Sequence, residues 1–403
     1  MLTPLEEVRS TILATCSPLP PVALPLGEAV GCVAAAPVVA RFDVPPFANT
    51  AMDGYALRSA DTDPAPARLE VIGVLAAGAA PDRAVGPGQA LRIMTGAPIP
   101  PGADAVVMVE RTRASDDGRE VLIEVVATPG QSVREAGSDL RAGQEVVAPG
   151  TPLSAGHVGV LASLGEGWVQ VHRRPVVGVL TTGDELVDGP GPLRPGQIHD
   201  SNRPLLLALA GQAGCRPVDL GRAPDDPDAI ASALDQAIER CDVVLVTGGV
   251  SVGDFDFVGT VLARLGTAWA WDVAMKPGKP LAFGVVGGRP VFGLPGNPVS
   301  AAVSFEMFAR PALRTLLGRS DPLRPRVTAV ADEPFRRRRD GKVHILRVQA
   351  APGPDARTHV RSAGGQGSHV LAALATANAL AFVPDGDGVQ QGDTVEVILL
   401  DPA

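Results

Sequence analysis

Three apolar runs constrain this chain most, because each stops at a glycine- or proline-rich loop. P-V-V-G-V-L-T-T ends at Gly183, D-V-V-L-V-T at Gly248, and R-P-V-F-G-L at Pro295. Each run is too short for a helix and apolar at successive positions, so both faces of the strand must be buried. Amphipathic stretches follow at 202–213, 258–265 and 299–316, and they read as helices, with Ser201 or Asn202 as the cap of the first. Strands alternating with helices indicate a parallel sheet covered on both faces. In such sheets, ligands bind at the carboxyl ends of the strands, where these three loops lie.

A fourth loop carries charge. A-M-K-P-G-K-P at 274–280 sets Lys276 and Lys279 on either side of Pro277-Gly278. Prolines at 277 and 280 fix φ and disfavour both helix and central strand. The expectation is a rigid turn presenting two ammonium groups to one small anion. T-G-G-V-S-V-G-D, with Gly248 and Gly249, and L-P-G-N-P, with Pro295 and Asn297, bracket it. Backbone N–H groups of such loops can approach an anion closely, so the group reads as one phosphate-handling site. Acids punctuate the same loops: Asp184 and Glu185 after Gly183, Asp225 and Asp226 in A-P-D-D-P-D, Asp254 and Asp256 after Gly253. Carboxylates gathered beside phosphate suit a divalent cation such as Mg²⁺, with Glu185 and Asp256 as its candidate ligands. The alternative is helix capping, which fits Asp226 before Pro227 and also Asp254.

The rest of the chain is modular. At 403 residues it is too long for one core, and two to four domains are expected. Residues 3–40 read as two helical pieces, the second at 26–36, joined by an extended P-L-P-P-V-A-L-P connector. From 42 to 138 short alternating runs separated by Gly, Pro and Asp indicate an all-β module. It carries N-T-A-M-D-G-Y-A with Asp53, I-M-T-G-A-P with Thr95, and R-E-A-G-S-D with Arg134 and Asp139. Asp53-Gly54 also fits an ordinary turn. Residues 143–171 read as small, partly helical elements, and 324–403 as a strand-rich barrel whose Arg336–Arg339 run is a solvated hairpin. A net charge of -9 argues against broad nucleic-acid binding and confines any bound polyanion to a local basic pocket. No secretory signal or membrane-length apolar stretch is visible, so a cytoplasmic location is expected. Cys16, Cys32, Cys215 and Cys241 lack metal-site spacing and read as reduced core thiols.

Taken together, N-T-A-M-D-G-Y-A, M-T-G-A-P, T-T-G-D-E-L, I-H-D-S-N, T-G-G-V-S-V-G-D, M-K-P-G-K-P and L-P-G-N-P resemble, in order and spacing, the molybdopterin molybdenumtransferase family. The resemblance covers nearly the whole chain. It implies a multidomain α/β plus β fold with four parts. These are a discontinuous helical linker domain (1–41 and 140–173), an inserted β domain (42–139), a three-layer α/β molybdopterin-binding domain with a mainly parallel sheet (174–320), and a C-terminal β-barrel (324–403). It also implies a homodimer with composite active sites, and transient contact with the molybdopterin adenylyltransferase and with acceptor molybdoenzyme chaperones. The implied substrates are molybdate and adenylylated molybdopterin, with Mg²⁺, and the products are molybdenum cofactor and AMP. Carried onto this sequence, the catalytic positions are Asp53, Thr95, Asp139, Glu185, Asp225, Asp256, Lys276 and Lys279. Asn202, Gly248, Gly249, Ser251, Pro295 and Asn297 line the implied molybdopterin pocket, with Arg134 and Ser368 of G-S-H reaching it. Ala48, Asp272, Glu135-Ala136 and Ser138 depart from the family pattern, and Asp272 stands where a lysine is common. A related adenylyltransferase or a receptor-anchoring scaffold is the rival reading; the M-D-G-Y-A module and the lack of a fused adenylyltransferase domain favour the transferase.

Overall fold

A computed structural model of the chain describes residues 2–249 and 257–400. Its contacts divide it into two compact units. One comprises residues 1–35, 149–154 and 168–403, the other residues 36–148 and 155–167.

The first unit is organised by a six-stranded sheet. Its strands in chain order are β1 (Val176–Thr182), β2 (Arg216–Ala223), β3 (Val243–Thr247), β4 (Thr267–Asp272), β5 (Pro280–Val286) and β6 (Arg289–Leu294). The spatial order is β2-β1-β3-β6-β5-β4. The first four in that order run parallel, and β5 pairs antiparallel with both β6 and β4. The antiparallel end follows from Gly287-Gly288, both at positive φ, which close a tight hairpin between β5 and β6. Side-chain alternation explains the continuous apolar runs. Val177, Val179, Val243, Leu245, Phe283 and Phe292 pack with the helices Leu5–Ala14, Asn202–Gln212 and the 298–316 segment. Leu180, Val244, Val246, Ala282 and Val291 face the helices Pro227–Ile238 and Phe257–Leu265. Both faces are therefore covered, as the apolar runs require. The 298–316 segment contains one π-helical stretch, Phe305–Ala309.

Five strands close a barrel at the C-terminal end of this unit: β7 (Arg326–Ala331), β8 (Val343–Pro352), β9 (Thr358–Ser362), β10 (Ala379–Val383) and β11 (Thr394–Leu399), in the order β8-β9-β7-β11-β10-β8. Its core is small and aliphatic, with Ala329, Val348, Val360, Ala381 and Val397 inside. The second unit carries another six-stranded sheet, in the spatial order Ala105–Met108, Gly54–Leu57, Gln89–Ile93, Ala67–Leu75, Glu120–Ile123, Thr112–Ala114.

Three local expectations are corrected. The second N-terminal helix does not form. Residues 26–28 make a single 3₁₀ turn, and Pro21–Pro25 and Val33–Ala34 instead flank the strand Trp168–His172. Gly31 at φ +81° breaks the helical path, and Ala34 N–H donates to Thr151 O at 2.9 Å, so ladder pairing overrides alanine's helix preference. Neither Ser201 nor Asn202 caps the following helix through its side chain; Asp200 does, accepting Arg203 N–H at 3.0 Å. The arginine run is not wholly solvated. The Arg337 side chain is buried, donates to Val383 O and Pro384 O, and pairs with Asp340 and Asp385 at 2.7 Å. By contrast Asp226 caps Pro227–Ile238, accepting from Asp228 N and Ala229 N. Among the cysteines, Cys32, Cys215 and Cys241 are buried, and burial pushes the Cys215 thiol up to about 12, which keeps it unreactive.

Asp242 pins the amino-terminal edge of the sheet. It is buried, accepts from Arg173 at 2.5 and 2.7 Å and from Val176 N–H at 2.9 Å, and pairs with Arg289 at 3.1 Å. Burial pushes its carboxyl up, but Arg173, Val176 N–H and Arg289 outweigh it and hold the group below the usual range. A depressed carboxyl stabilises the fold above its unfolded value of about 4, and the gain is lost as pH falls through the folded value. Asp242→Asn should therefore cost about 3 kcal/mol at pH 7, because it leaves two guanidinium groups without their buried anion. Urea unfolding of both proteins should show that difference shrinking as the pH is lowered below about 4.

Candidate functional site

Parallel strands β1, β3 and β6 end level with one another: Thr181 lies opposite Thr247, and Thr247 opposite Leu294. Their loops therefore open onto one cavity of about 780 Å³, walled by Gly183, Glu185, Asp225, Gly248, Gly249, Pro295 and Asn297, with Ile198, His199, Phe257 and Leu371. Gly248 has to be glycine. Its φ is +99°, and a Cβ there would sit 2.3 Å from Thr182 O. Gly248 and Gly249 therefore border the cavity as bare backbone, with the Gly248 N–H donating to Leu294 O at 3.3 Å. Glu185 is exposed, and its carboxylate folds back over Gly183. Asp225 Oδ2 accepts Asp184 N–H at 3.3 Å, and Arg222 donates to Gly183 O at 3.0 Å, which ties the two acidic loops together.

Asn202 stands behind this wall. Its Nδ2 donates to Thr247 Oγ1 at 2.9 Å and to Gly296 O at 2.7 Å, stitching the ends of β3 and β6. The expected lining role at this point falls to its neighbour Ser201.

A second cavity, about 660 Å³, adjoins the first and shares Pro280 and His369 with it. The 275–280 turn forms one side, Ser300 and Lys342 contribute, and the loop Gln366, Gly367, Ser368, His369 closes it. Gly278 is at φ +93°, and a Cβ would lie 2.6 Å from Ser304 Oγ, so the turn packs directly onto the 298–316 helix. Met275–Lys276 forms a two-residue strand beside Val343–His344 of β8. The turn is thus fastened to the barrel. Lys276 is exposed, whereas Lys279 Nζ is 2.9 Å from Asp272 Oδ2. The two ammonium groups are not equivalent: Asp272 neutralises much of the charge on Lys279.

The residue missed by sequence reasoning is Arg347. It is fully buried in β8, and its Nη2 donates to Gly365 O at 3.0 Å and Gly367 O at 3.1 Å. Its Nε and Nη1 have no hydrogen-bond partner among the described residues. Burial lowers its pKa. Gln366 braces the same loop through Arg347 N–H and O, and Ser368 O accepts Val299 N–H. An arginine inside the apolar run H-I-L-R-V was the available signal.

In the second unit the structure brings Asp53 and Thr95 together. Thr95 N–H and Oγ1 both donate to Asp53 Oδ1 at 2.6 Å. Arg134 reaches the same loop group through strand pairing with Asn49. Asp139 is exposed in the 135–140 turn. Ser251 and Asp256 lie outside the described residues. Among the described residues no cluster of three His, Cys, Asp or Glu side chains is placed to hold a metal by itself, and no helix is long and apolar enough to cross a membrane.

Three family models match the chain: MoeA N-terminal region (domain I and II) over residues 3–165, probable molybdopterin binding domain over 178–315, and MoeA C-terminal region (domain IV) over 328–400. The chain is 37% identical over 400 residues to the molybdopterin molybdenumtransferase of Haemophilus influenzae, covering 98% of each. It is 40% identical over 405 residues to molybdopterin molybdenumtransferase 2 of Mycobacterium tuberculosis, covering 97% of this chain and 95% of that one. Among solved structures, the molybdopterin biosynthesis moeA protein from Pyrococcus horikoshii OT3 superposes with a TM-score of 0.83 at 30% identity, over 99% of this chain and all of that one (100%).

The Asp53–Thr95 pair has a measurable signature. Donation from the Thr95 hydroxyl, then from its N–H, holds the Asp53 carboxyl below its ordinary value. Thr95→Val removes the first donor, so the Asp53 carboxyl should titrate closer to the usual value of about 3.9 in carbon-13 NMR. An unchanged titration would show that the hydroxyl does not set this charge.

Proposed function

The chain belongs to the molybdopterin molybdenumtransferase family, and on that premise we propose that it inserts molybdate into adenylylated molybdopterin and hydrolyses the adenylate, giving molybdenum cofactor and AMP. The observation that carries this reading is the pair of adjoining cavities, one edged by lysines and the other by glycine loops and carboxylates. A diphosphate-linked substrate and a small dianion need such a pair side by side. The bare backbone at Gly248 and Gly249 borders the diphosphate, with the Gly249 N–H as its donor, because glycine lets the main chain approach the phosphate oxygens. Ile198, Phe257, Pro295 and Leu371 offer apolar surface for the flat pterin. Lys276 and the Ser368 loop receive the dianion, and positive charge fixed in place stabilises the charge that develops on the departing AMP.

Glu185 and Asp225 put carboxylate oxygens on this cavity wall, a donor type that fits Mg²⁺ when phosphate oxygens complete its shell. Glu185, Asp225 and Asp256 would hold the cation, which when bound supplies charge neutralisation at the diphosphate. Asp53, Thr95, Asp139 and Arg134 serve the same reaction from the β module. The working form in this reading is a cytoplasmic homodimer in which the β module of one subunit completes the α/β site of the other. Its transient partners are the adenylyltransferase that supplies the substrate and the chaperones that receive the cofactor.

Purified protein given adenylylated molybdopterin, molybdate and Mg²⁺ should release AMP, and no release would overturn the assignment. Glu185→Gln should raise the Mg²⁺ concentration needed for half-maximal rate and leave thermal stability without metal unchanged. The opposite pattern, lower stability with the same Mg²⁺ requirement, would make Glu185 structural. Mixed dimers of Asp53→Ala and Lys276→Ala subunits should regain activity, since one of the two sites is then free of both lesions. Absence of recovery in verified mixed dimers would mean that each site is built within one chain.

A further inference from the structure

The lysine-edged cavity has a third cation on its wall, Lys342, which lies outside the glycine–proline loops that mark the site in the sequence. Its backbone position is fixed twice. Val343 N–H donates to Ala274 O at 2.9 Å as β8 pairs with Met275–Lys276, and Lys342 O accepts from Arg337 Nη1 at 2.8 Å. Residue 342 is therefore held beside the 275–280 turn through its backbone, whatever its side chain does. The nearest acid to its ammonium is Asp340, at 3.5 Å. That carboxylate has closer partners: Arg337 Nη2 at 2.7 Å and His344 Nε2 at 3.1 Å. Lys342 is the loosest of the three, on a long flexible stem, and a dianion entering the cavity competes well for it.

Charge balance gives this position its meaning. Asp272 takes up much of the charge of Lys279 through a 2.9 Å ion pair, which leaves Lys276 as the one lysine of the 275–280 turn without an acid at ion-pair distance among the described residues. One ammonium is a weak site for a doubly charged tetrahedral oxyanion that must shed its water. We propose that Lys342 binds the oxyanion together with Lys276 and supplies the positive charge that Asp272 withdraws from Lys279. The inference rests on the function proposed above and adds a specificity-determining residue to it.

The test is equilibrium binding of tungstate, a tetrahedral dianion of molybdate's shape, to the full-length chain by calorimetry at low ionic strength. Lys342→Met should weaken binding about tenfold to a hundredfold, the range of a lost charge-assisted hydrogen bond. Lys342→Arg should restore most of it, and Lys342→Gln, which keeps a polar end without charge, should not. Asp272→Asn in the Lys342→Met background frees Lys279 and should regain part of the lost affinity. Wild-type-like binding by Lys342→Met would overturn the proposal and leave the proposed function standing. No regain from Asp272→Asn would overturn the charge exchange. No tungstate binding by the wild-type chain would overturn the oxyanion reading of the cavity itself, and the proposal with it.

Discussion

The level register of β1, β3 and β6 is the constraint on which the rest depends. Because Thr181, Thr247 and Leu294 lie side by side, the chain leaves three neighbouring strands at the same height. A slip of one residue in any strand would exchange its two apolar faces and move its loop. Both faces are close-packed against helices, so a slip would drive each side chain into a space shaped for another. Packing on two sides thus fixes the register, and the register assembles the cavity. Asn202 then adds local stiffness by bonding the ends of β3 and β6.

A second cavity is built by a different device. The 275–280 turn sits between the mixed sheet and the barrel, paired to β8 on one side and pressed on the 298–316 helix through Gly278 on the other. Its lysines are therefore positioned by main-chain contacts, while their charges are set by neighbours. Asp272 and Asp340 decide how much of each ammonium an incoming anion meets. A chain of net charge -9 can present a cationic pocket in this way, since exposed charges beyond about 8 Å are largely screened at physiological salt. The loop at 366–369 is held from behind by Arg347, whose burial makes its contacts to Gly365 O and Gly367 O strong.

The sequence by itself determined the strand–loop–helix order, the buried strands, the glycine loops at their ends and the barrel. These follow from periodicity and from residues with restricted φ, which are local properties. The family resemblance of its motifs grouped Asp53, Thr95, Asp139, Glu185, Asp225, Asp256, Lys276 and Lys279. Tertiary structure decided what local pattern cannot carry. Residues 26–36 lost their helix because Trp168–His172 offered them a ladder, a partner more than a hundred residues away. Arg337 left solvent because Val383 O and Pro384 O needed a donor. Arg347 read as an ordinary strand residue until its strand was seen behind the 366–369 loop. Lys279 gained Asp272 as an ion-pair partner because β4 and β5 pair antiparallel, with Asp272 opposite Pro280. A side chain's chemistry is written in its own residue, whereas its charge state and reach depend on which distant groups the fold brings within a few ångströms.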